Sequence, residues 1–351
     1  MCIAQRRYTA VYIWIYWKNE RHIGLMLENK IFASYVPSST EALAKLYLSL
    51  FQEQERAWPR YHEGVARLNE IKTRKIQCKG FDVQVQFNPK RIQSTSAKVD
   101  AKSIRERECF LCLTNLPPEQ KGILYKNDFF LLCNPAPIFH HHGTIVHVQH
   151  IPQAIEGQID LVLNLVKDLA PSFTLFYNGP QCGASAPDHL HFQACPAGSI
   201  PLELESLELQ RIELKKTWQH VKIFTLKNYG RGVMILDSDR SQDLSVLFQQ
   251  IVSVMRNILA VKEEPPLNII FTYSDSRWRI IIIPRTKHRP EVYFKEGDDK
   301  ILISPASVDI GGLVITPMEK DFLRVDAAMI QTIFWEVSFN QEMIQQILDQ
   351  L

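Results

Sequence analysis

The sequence predicts an α+β fold of antiparallel sheets with packed helices, built as two related halves. Two observations carry this. Residues 129 to 196 read strand, strand, helix, strand, strand, and the same β-β-α-β-β order recurs from about residue 215. Paired strands around one helix favour an antiparallel sheet over a doubly wound parallel one. A length of 351 residues fits one large domain or two halves.

Taken in order, residues 1–75 form an amino-terminal segment and helix. "YTAVYIWIYW" is apolar and aromatic but too short to span a bilayer, which takes about 20 residues. It follows Arg6 and Arg7 as a signal peptide would. Trp and Tyr fill it, however, and no small-residue cleavage site follows, so a locally packed strand or helix is expected. "STEALAKLYLSLFQEQERAW" opens on Ser39 and Thr40 and carries helically spaced apolar residues, which predicts a helix over 40–75.

Residues 76–214 are the first half. "FDVQVQFNP" alternates as a half-buried strand does and stops at Pro89. A polar stretch, 90–108, leads to Cys109-Phe-Leu-Cys112. "FFLLCNPAP" and "GTIVHVQHIP" are strands, "IEGQIDLVLNLVKDLA" a helix, and "FTLFYNG" and "HLHFQACP" a second strand pair. Residues 215–351 are the second half, where "WQHVKIFTL", "GVMILDS", "SQDLSVLFQQIVSVMRNILA" and "LNIIFTYSDSRWRIIIIPR" repeat that order without a histidine pair.

A 46% hydrophobic and 22% charged composition is that of a globular chain. The formal charge of +2 gives no global basic field, so nucleic acid is not an expected partner, and neither is a membrane. Seven scattered cysteines make no disulfide framework and point to a reducing, cytoplasmic setting.

The chemistry concentrates at "ASAPDHLHFQACP". In a strand, positions i, i+2 and i+4 share a face, so His189, His191 and Gln193 point the same way. On its own this is as readily a solvated polar face. The preceding loop "NGPQCGAS" adds Asn178, Gly179, Gly183 and Ser185, small or amide residues that let an anion approach backbone N–H groups. "HHHGTIVHVQH" brings further histidines to the same sheet. Cys109 and Cys112 supply half of a tetrahedral metal site.

From Cys109 to Pro196 the order "CFLC…NDFFLLCNPAPIFHHHGTIVHVQHIP…YNG…GAS…HLHFQ" resembles the histidine triad superfamily, specifically its transferase branch, where Gln replaces the last histidine. That branch includes galactose-1-phosphate uridylyltransferase, the diadenosine tetraphosphate phosphorylases and the GDP-hexose phosphorylases. "QFNPKRIQSTSAKVD…RECFLC" further resembles a bacterial subgroup of Bacteroides type. The resemblance implies two histidine-triad-like halves and a nucleotidyltransferase or phosphorylase acting through a covalent nucleotidyl-histidine. It implies His191 as nucleophile, Gln193 as hydrogen-bond donor to the transferred phosphate, and a structural Zn²⁺ on Cys109, Cys112, His150 and His189. A nucleotide sugar or dinucleoside polyphosphate would be the substrate, inorganic phosphate or a sugar phosphate the acceptor, and a homodimer the common assembly. The sequence departs from the family in placing Ser185 four residues ahead of His189 rather than three, and it leaves Asp188 without a role. A hydrolase of the same fold and a non-catalytic nucleotide-binding protein are the alternatives.

A polyanionic substrate needs local cations. "NPKRIQSTSAK" offers Arg91 and Lys98, and "SRWRIIIIPRTKHRPE" offers Arg277, Arg285 and Lys287, with His288 and Arg289 following. Trp278 is a candidate for base stacking, although core burial is the commoner fate of a Trp. "SPASVDIGGLVIT" reads as a substrate loop or a tight turn before a strand.

Overall fold

The computed structural model describes residues 29–36, 39, 41–97 and 99–351. The aromatic run near the start, Thr40 and Lys98 lie outside these residues.

The expected helix over 40–75 is divided. It begins at Leu43, runs to Ala57 and buries Leu43, Ala44, Tyr47, Leu50, Phe51 and Gln54, one helical stripe. Trp58 is extended because Pro59 disfavours a helical predecessor, and a second helix starts at that proline and ends at Ala66. A short 3₁₀ turn follows, and by Lys72 the chain is already a strand. Ser39 does not cap the helix; its Oγ accepts from the backbone N–H of Val36 at 3.1 Å.

The described residues contain fourteen strands, numbered in chain order. They are β1 Ile31–Tyr35, β2 Lys72–Gln77, β3 Asp82–Phe87, β4 Gly122–Tyr125, β5 Phe129–Cys133, β6 Gly143–His147, β7 Phe173–Asn178 and β8 His191–Pro196, then β9 Ile212–Trp218, β10 Val221–Leu226, β11 Met234–Ser238, β12 Leu267–Ser274, β13 Arg277–Pro284 and β14 Leu313–Thr316. Eleven join one sheet in the order β1-β4-β5-β6-β8-β7-β12-β13-β11-β10-β9.

The predicted repeat is explicit in that order. The first half reads β4-β5-β6-β8-β7 from its outer edge inward, and the second reads β9-β10-β11-β13-β12. The last-paired strand of each half meets the other's across the antiparallel β7–β12 ladder, with Tyr177 opposite Ile269 and Leu175 opposite Phe271. The sheet therefore runs through both halves unbroken. Two pairs depart from the antiparallel expectation: β1 runs parallel to β4, and β14 parallel to β3.

Alternation along the strands gives the sheet two apolar faces. Phe192, Ala194, Ile280 and Ile282 face the helices Leu43–Ala57, Ile159–Leu169 and Ser241–Leu259. Phe176, Cys195, Ile281 and Ile283 face the other way, toward the small sheet β14-β3-β2 and the helix Ala327–Val337. β14 belongs to the second half and β3 to the first, so this layer ties the ends of the chain together.

Candidate active site and metal cluster

The strand β8 begins at His191, two residues later than the sequence pattern suggests. His189 sits just ahead of it in a turn, its N–H bonded to the carbonyl of Ala186 at 3.1 Å. Buried Gln153 holds the start of the strand: its Oε1 accepts the N–H of His191 at 2.8 Å, and its Nε2 donates to the carbonyls of His191 and Asn178 at 3.0 and 2.9 Å.

This geometry fixes the protonation of His191. The ring Nδ1 lies 2.8 Å from the carbonyl oxygen of His189, which can only accept, so Nδ1 carries the proton. Nε2 keeps its lone pair. Burial pushes the imidazole down to about 4, so it is neutral near pH 7.

Gln193 is oriented by His142. The backbone N–H of Ile138 donates to His142 Nδ1 at 3.1 Å, which places the ring proton on Nε2. That Nε2–H donates to Gln193 Oε1 at 2.9 Å. With its carbonyl end engaged, Gln193 presents its NH₂ end to the cavity in front of His191. His142 is fully buried, and burial pushes its ring down to about 3, which keeps this tautomer neutral.

Asn178 is oriented in the same manner from the second half. Its Oδ1 accepts from Asn268 Nδ2 at 2.9 Å, from Ser307 N–H at 2.9 Å and from Ser307 Oγ at 2.7 Å. Its amide nitrogen is left as the donor end. Two carboxamides from neighbouring strands thus aim N–H groups at one space beside a bare imidazole nitrogen, the arrangement that suits a phosphoryl group rather than a cation.

The space is a cavity of about 620 Å³ lined by His191, Gln193, Asn178, Gly183, Ser185 and Arg91, with Thr144 and Asn134 beside them. Gly183 has φ +96°, and a Cβ there would stand 2.6 Å from the Cβ of Ala306, so only glycine lets the loop close against the second half. The "SPASVD" segment supplies that wall, with Ala306, Val308 and Asp309 facing the cavity.

Next to this cavity stands the second cluster. His189 Nε2–H donates to the carbonyl of His147 at 2.8 Å, turning Nδ1 toward Cys109 Sγ at 3.4 Å and Cys112 Sγ at 3.7 Å. His150 Nδ1 lies 3.1 Å from Cys112 Sγ. One ligand atom from each of Cys109, Cys112, His150 and His189 falls within 4.8 Å of all the others, so the four form a cluster able to hold a metal ion. Asp188 acquires a place here: its Oδ2 lies 3.7 Å from His150 Nε2, and its Oδ1 accepts from Arg107 at 2.5 Å. The Arg107–Asp188 ion pair thus stands beside the outer nitrogen of His150.

The comparisons agree with this architecture. Residues 50–196 match the family described as a domain of unknown function, DUF4922, and residues 203–351 the one described as GDPGP1-like, C-terminal domain. The crystal structure of yeast Ap4A phosphorylase Apa2 aligns at a TM-score of 0.56 and 15% identity, over 80% of this chain and 96% of that one. The yeast enzyme in complex with AMP gives 0.51 at 16% over 80% and 95%, and in complex with Ap4A 0.51 at 15% over 81% and 97%. The chain shares its fold with the yeast Ap4A phosphorylase. No curated protein matches it in sequence.

Within this fold, three cations named from the sequence lie away from the cavity. Arg277 pairs with Asp237 at 2.6 Å on the second half. Lys287 pairs with Glu336 at 3.1 Å. Arg285 is wholly buried and gives its donors to Asn268 Oδ1 and the carbonyls of Val337, Pro305, Lys287 and His288, so none remains for a phosphate. It acts through Asn268, whose other end holds Asn178. Trp278 is buried, with its indole N–H on the carbonyl of Leu163 at 2.8 Å, and does not reach a ligand. Gln153, Asn268 and Ser307 were not singled out from sequence, whereas His142 belongs to the triplet His140–His142, one member of which was a candidate to orient phosphate or ligate metal. Of that triplet, His142 is the member in phase with Thr144 on β6.

Proposed function

We propose that this chain is a nucleotidyltransferase, a phosphorylase that cleaves a nucleoside diphosphate sugar or a dinucleoside polyphosphate through a nucleotidyl-His191 intermediate. The observation that carries it is the bare Nε2 of His191 facing a cavity between two oriented carboxamides. In the first step Nε2 attacks the α-phosphorus, the Pα–N bond forms and the bridging Pα–O bond breaks, releasing a sugar phosphate or nucleotide. In the second, an oxygen of inorganic phosphate or a sugar phosphate attacks the same phosphorus and the Pα–N bond breaks, restoring neutral His191. A phosphate leaving group needs no proton, which fits an amide rather than a third histidine at Gln193. The Gln193 and Asn178 N–H groups would hold the non-bridging oxygens as charge develops, and Gly183, Ser185 and Arg91 would complete the phosphate contacts. The fold shared with the yeast enzyme, whose structures include AMP and Ap4A complexes, supports a nucleotide substrate.

The donor set of Cys109, Cys112, His150 and His189 fits Zn²⁺, which when bound would supply a structural tie between the Cys109–Cys112 knuckle and the approach to β8. Residues 76–214 would be the catalytic half and 215–351 the half that contributes substrate contacts. The six described cysteines are unpaired thiols, which supports the cytoplasm, and no helix among the described residues is long and apolar enough to cross a membrane. A homodimer is the assembly we expect, and neither nucleic acid nor membrane is a partner in this reading.

Incubation with GDP-glucose or diadenosine tetraphosphate, followed by intact mass, should show one nucleoside monophosphate on His191, discharged by inorganic phosphate. Turnover unchanged in His191→Ala would overturn the assignment. Incorporation of labelled water oxygen into the monophosphate, with no phosphate requirement, would identify a hydrolase instead.

A further inference from the structure

We infer that the second half builds a separate anion subsite in the same cavity, centred on Arg289, which takes the phosphate group exchanged during the reaction. The inference rests on the nucleotidyl-transfer reading for its place in the reaction but not for its geometry.

Arg289 is held on three sides. Its Nε donates to Ser304 Oγ at 2.9 Å, and its Nη2 donates to the carbonyls of Thr95 and Ala97 at 3.3 and 3.0 Å. The guanidinium stands over the ring of Tyr293, 4.3 Å from its centroid. Ser304 Oγ, having accepted from Arg289, stands 3.4 Å from His288 Nε2, and burial pushes His288 down to about 3, so that ring adds no charge beside Arg289. Among the described residues Nη1 has no acceptor and Arg289 has no ion pair. A cation so fixed, with one NH₂ group uncommitted on the wall of a ligand-sized cavity, is preorganised for an anion.

One neighbour agrees in sign. Arg91 lines the same cavity from the first half, with Nη1 on the carbonyl of Ala136 at 2.9 Å and no ion pair among the described residues. The acid on this wall, Asp309, accepts the N–H groups of Ile315 and Ala306 at 2.9 and 3.0 Å, and burial raises its carboxyl to about 6. Arg107 is committed to Asp188.

In a two-step displacement on one phosphorus the acceptor enters along the line by which the leaving group departed. One subsite therefore serves both, and it must recognise a phosphate that is never the one attached to His191. Inorganic phosphate and the phosphate of a sugar phosphate share that chemistry.

Calorimetric titration of the full chain with inorganic phosphate, and separately with glucose 1-phosphate, tests it. Arg289→Gln should weaken phosphate binding at least about tenfold, the scale of one charged hydrogen-bonding pair. Arg289→Lys, which keeps the charge without the fork, should fall between, and Arg277→Gln should match the wild type. Binding of inorganic phosphate in competition with glucose 1-phosphate identifies a phosphorolytic acceptor, whereas binding of glucose 1-phosphate alone identifies a sugar phosphate. Equal affinity in wild type and Arg289→Gln, or no binding of either probe to wild type, overturns the subsite. Arg289-dependent binding without any His191 adduct overturns the transfer reading and leaves the subsite standing.

Discussion

The two halves are built to one plan and treat the same face of their common sheet in opposite ways. On β8 of the first half that face carries His191 and Gln193 into an open cavity. On the corresponding β13 of the second half it carries Arg277 and Arg279, both closed onto Asp237, and then Ile281 and Ile283, packed under β14 and the helix Ala327–Val337. One half leaves the face open for a ligand and the other covers it with protein. The difference teaches that two halves of one plan divide labour: the second covers its face with protein, and its buried Asn268 and Ser307 reach across the joint to orient Asn178.

That contrast can be broken in four places. The largest effect belongs to the open face. His191→Ala should lower turnover by at least about 10⁴-fold, as loss of a nucleophile does, with the melting temperature little changed. A smaller loss separates orientation from chemistry. Gln193→Ala should cost about 10²-fold, the scale for one oxyanion donor, and His142→Phe should reproduce part of it by freeing the amide to turn. Steady-state kinetics with His191 still labelled by donor would check this; an unchanged rate in His142→Phe would remove His142 from the site.

On the covered face the effect moves from rate to stability. Ile281→Ala should destabilise by about 2–5 kcal/mol through the cavity it leaves, read by denaturant unfolding, with a smaller effect on turnover than His191→Ala.

The smallest effect lies at the joint. Glu264 of the second half accepts the N–H of Ile155 at 2.6 Å and the hydroxyl of Tyr177 at 2.7 Å from the first, and burial raises its carboxyl to about 7. A raised pKa means that the folded protein holds this proton more tightly than the unfolded chain. Its contribution is therefore present below about pH 4.5 and is lost as pH rises through 7. Glu264→Gln should melt with the wild type near pH 5 and above it at pH 8, by up to roughly 3 kcal/mol at 1.36 per unit. Parallel melting curves at both pH values would show that Glu264 stays charged.

Much of the fold was legible because alternation and helical spacing are local. The β-β-α-β-β order of both halves, the strand at 81–89 and the loop from Asn178 to Ser185 follow from period and turn chemistry alone. The helix over 40–75 was overextended because apolar spacing continued past Pro59, where the backbone could not. Arg277, Arg285 and Lys287 were indistinguishable in sequence from ligand-binding cations. Whether an arginine meets a phosphate, a carboxylate or a ring of carbonyls depends on strands and helices tens of residues away.

The sequence by itself determined the paired halves, the face shared by His191 and Gln193, and Cys109 and Cys112 as half of a metal site, since each is a matter of spacing along a short stretch, while His150 and His189 as the other ligands came from the resemblance. The tertiary structure alone decided which nitrogen of His191 is bare, which way Gln193 and Asn178 point, and that Arg289 rather than Arg285 reaches the cavity. A hydrogen bond's direction is set by the partner it meets, and those partners, from the carbonyl of His189 to Ser307, come together only when the chain has folded.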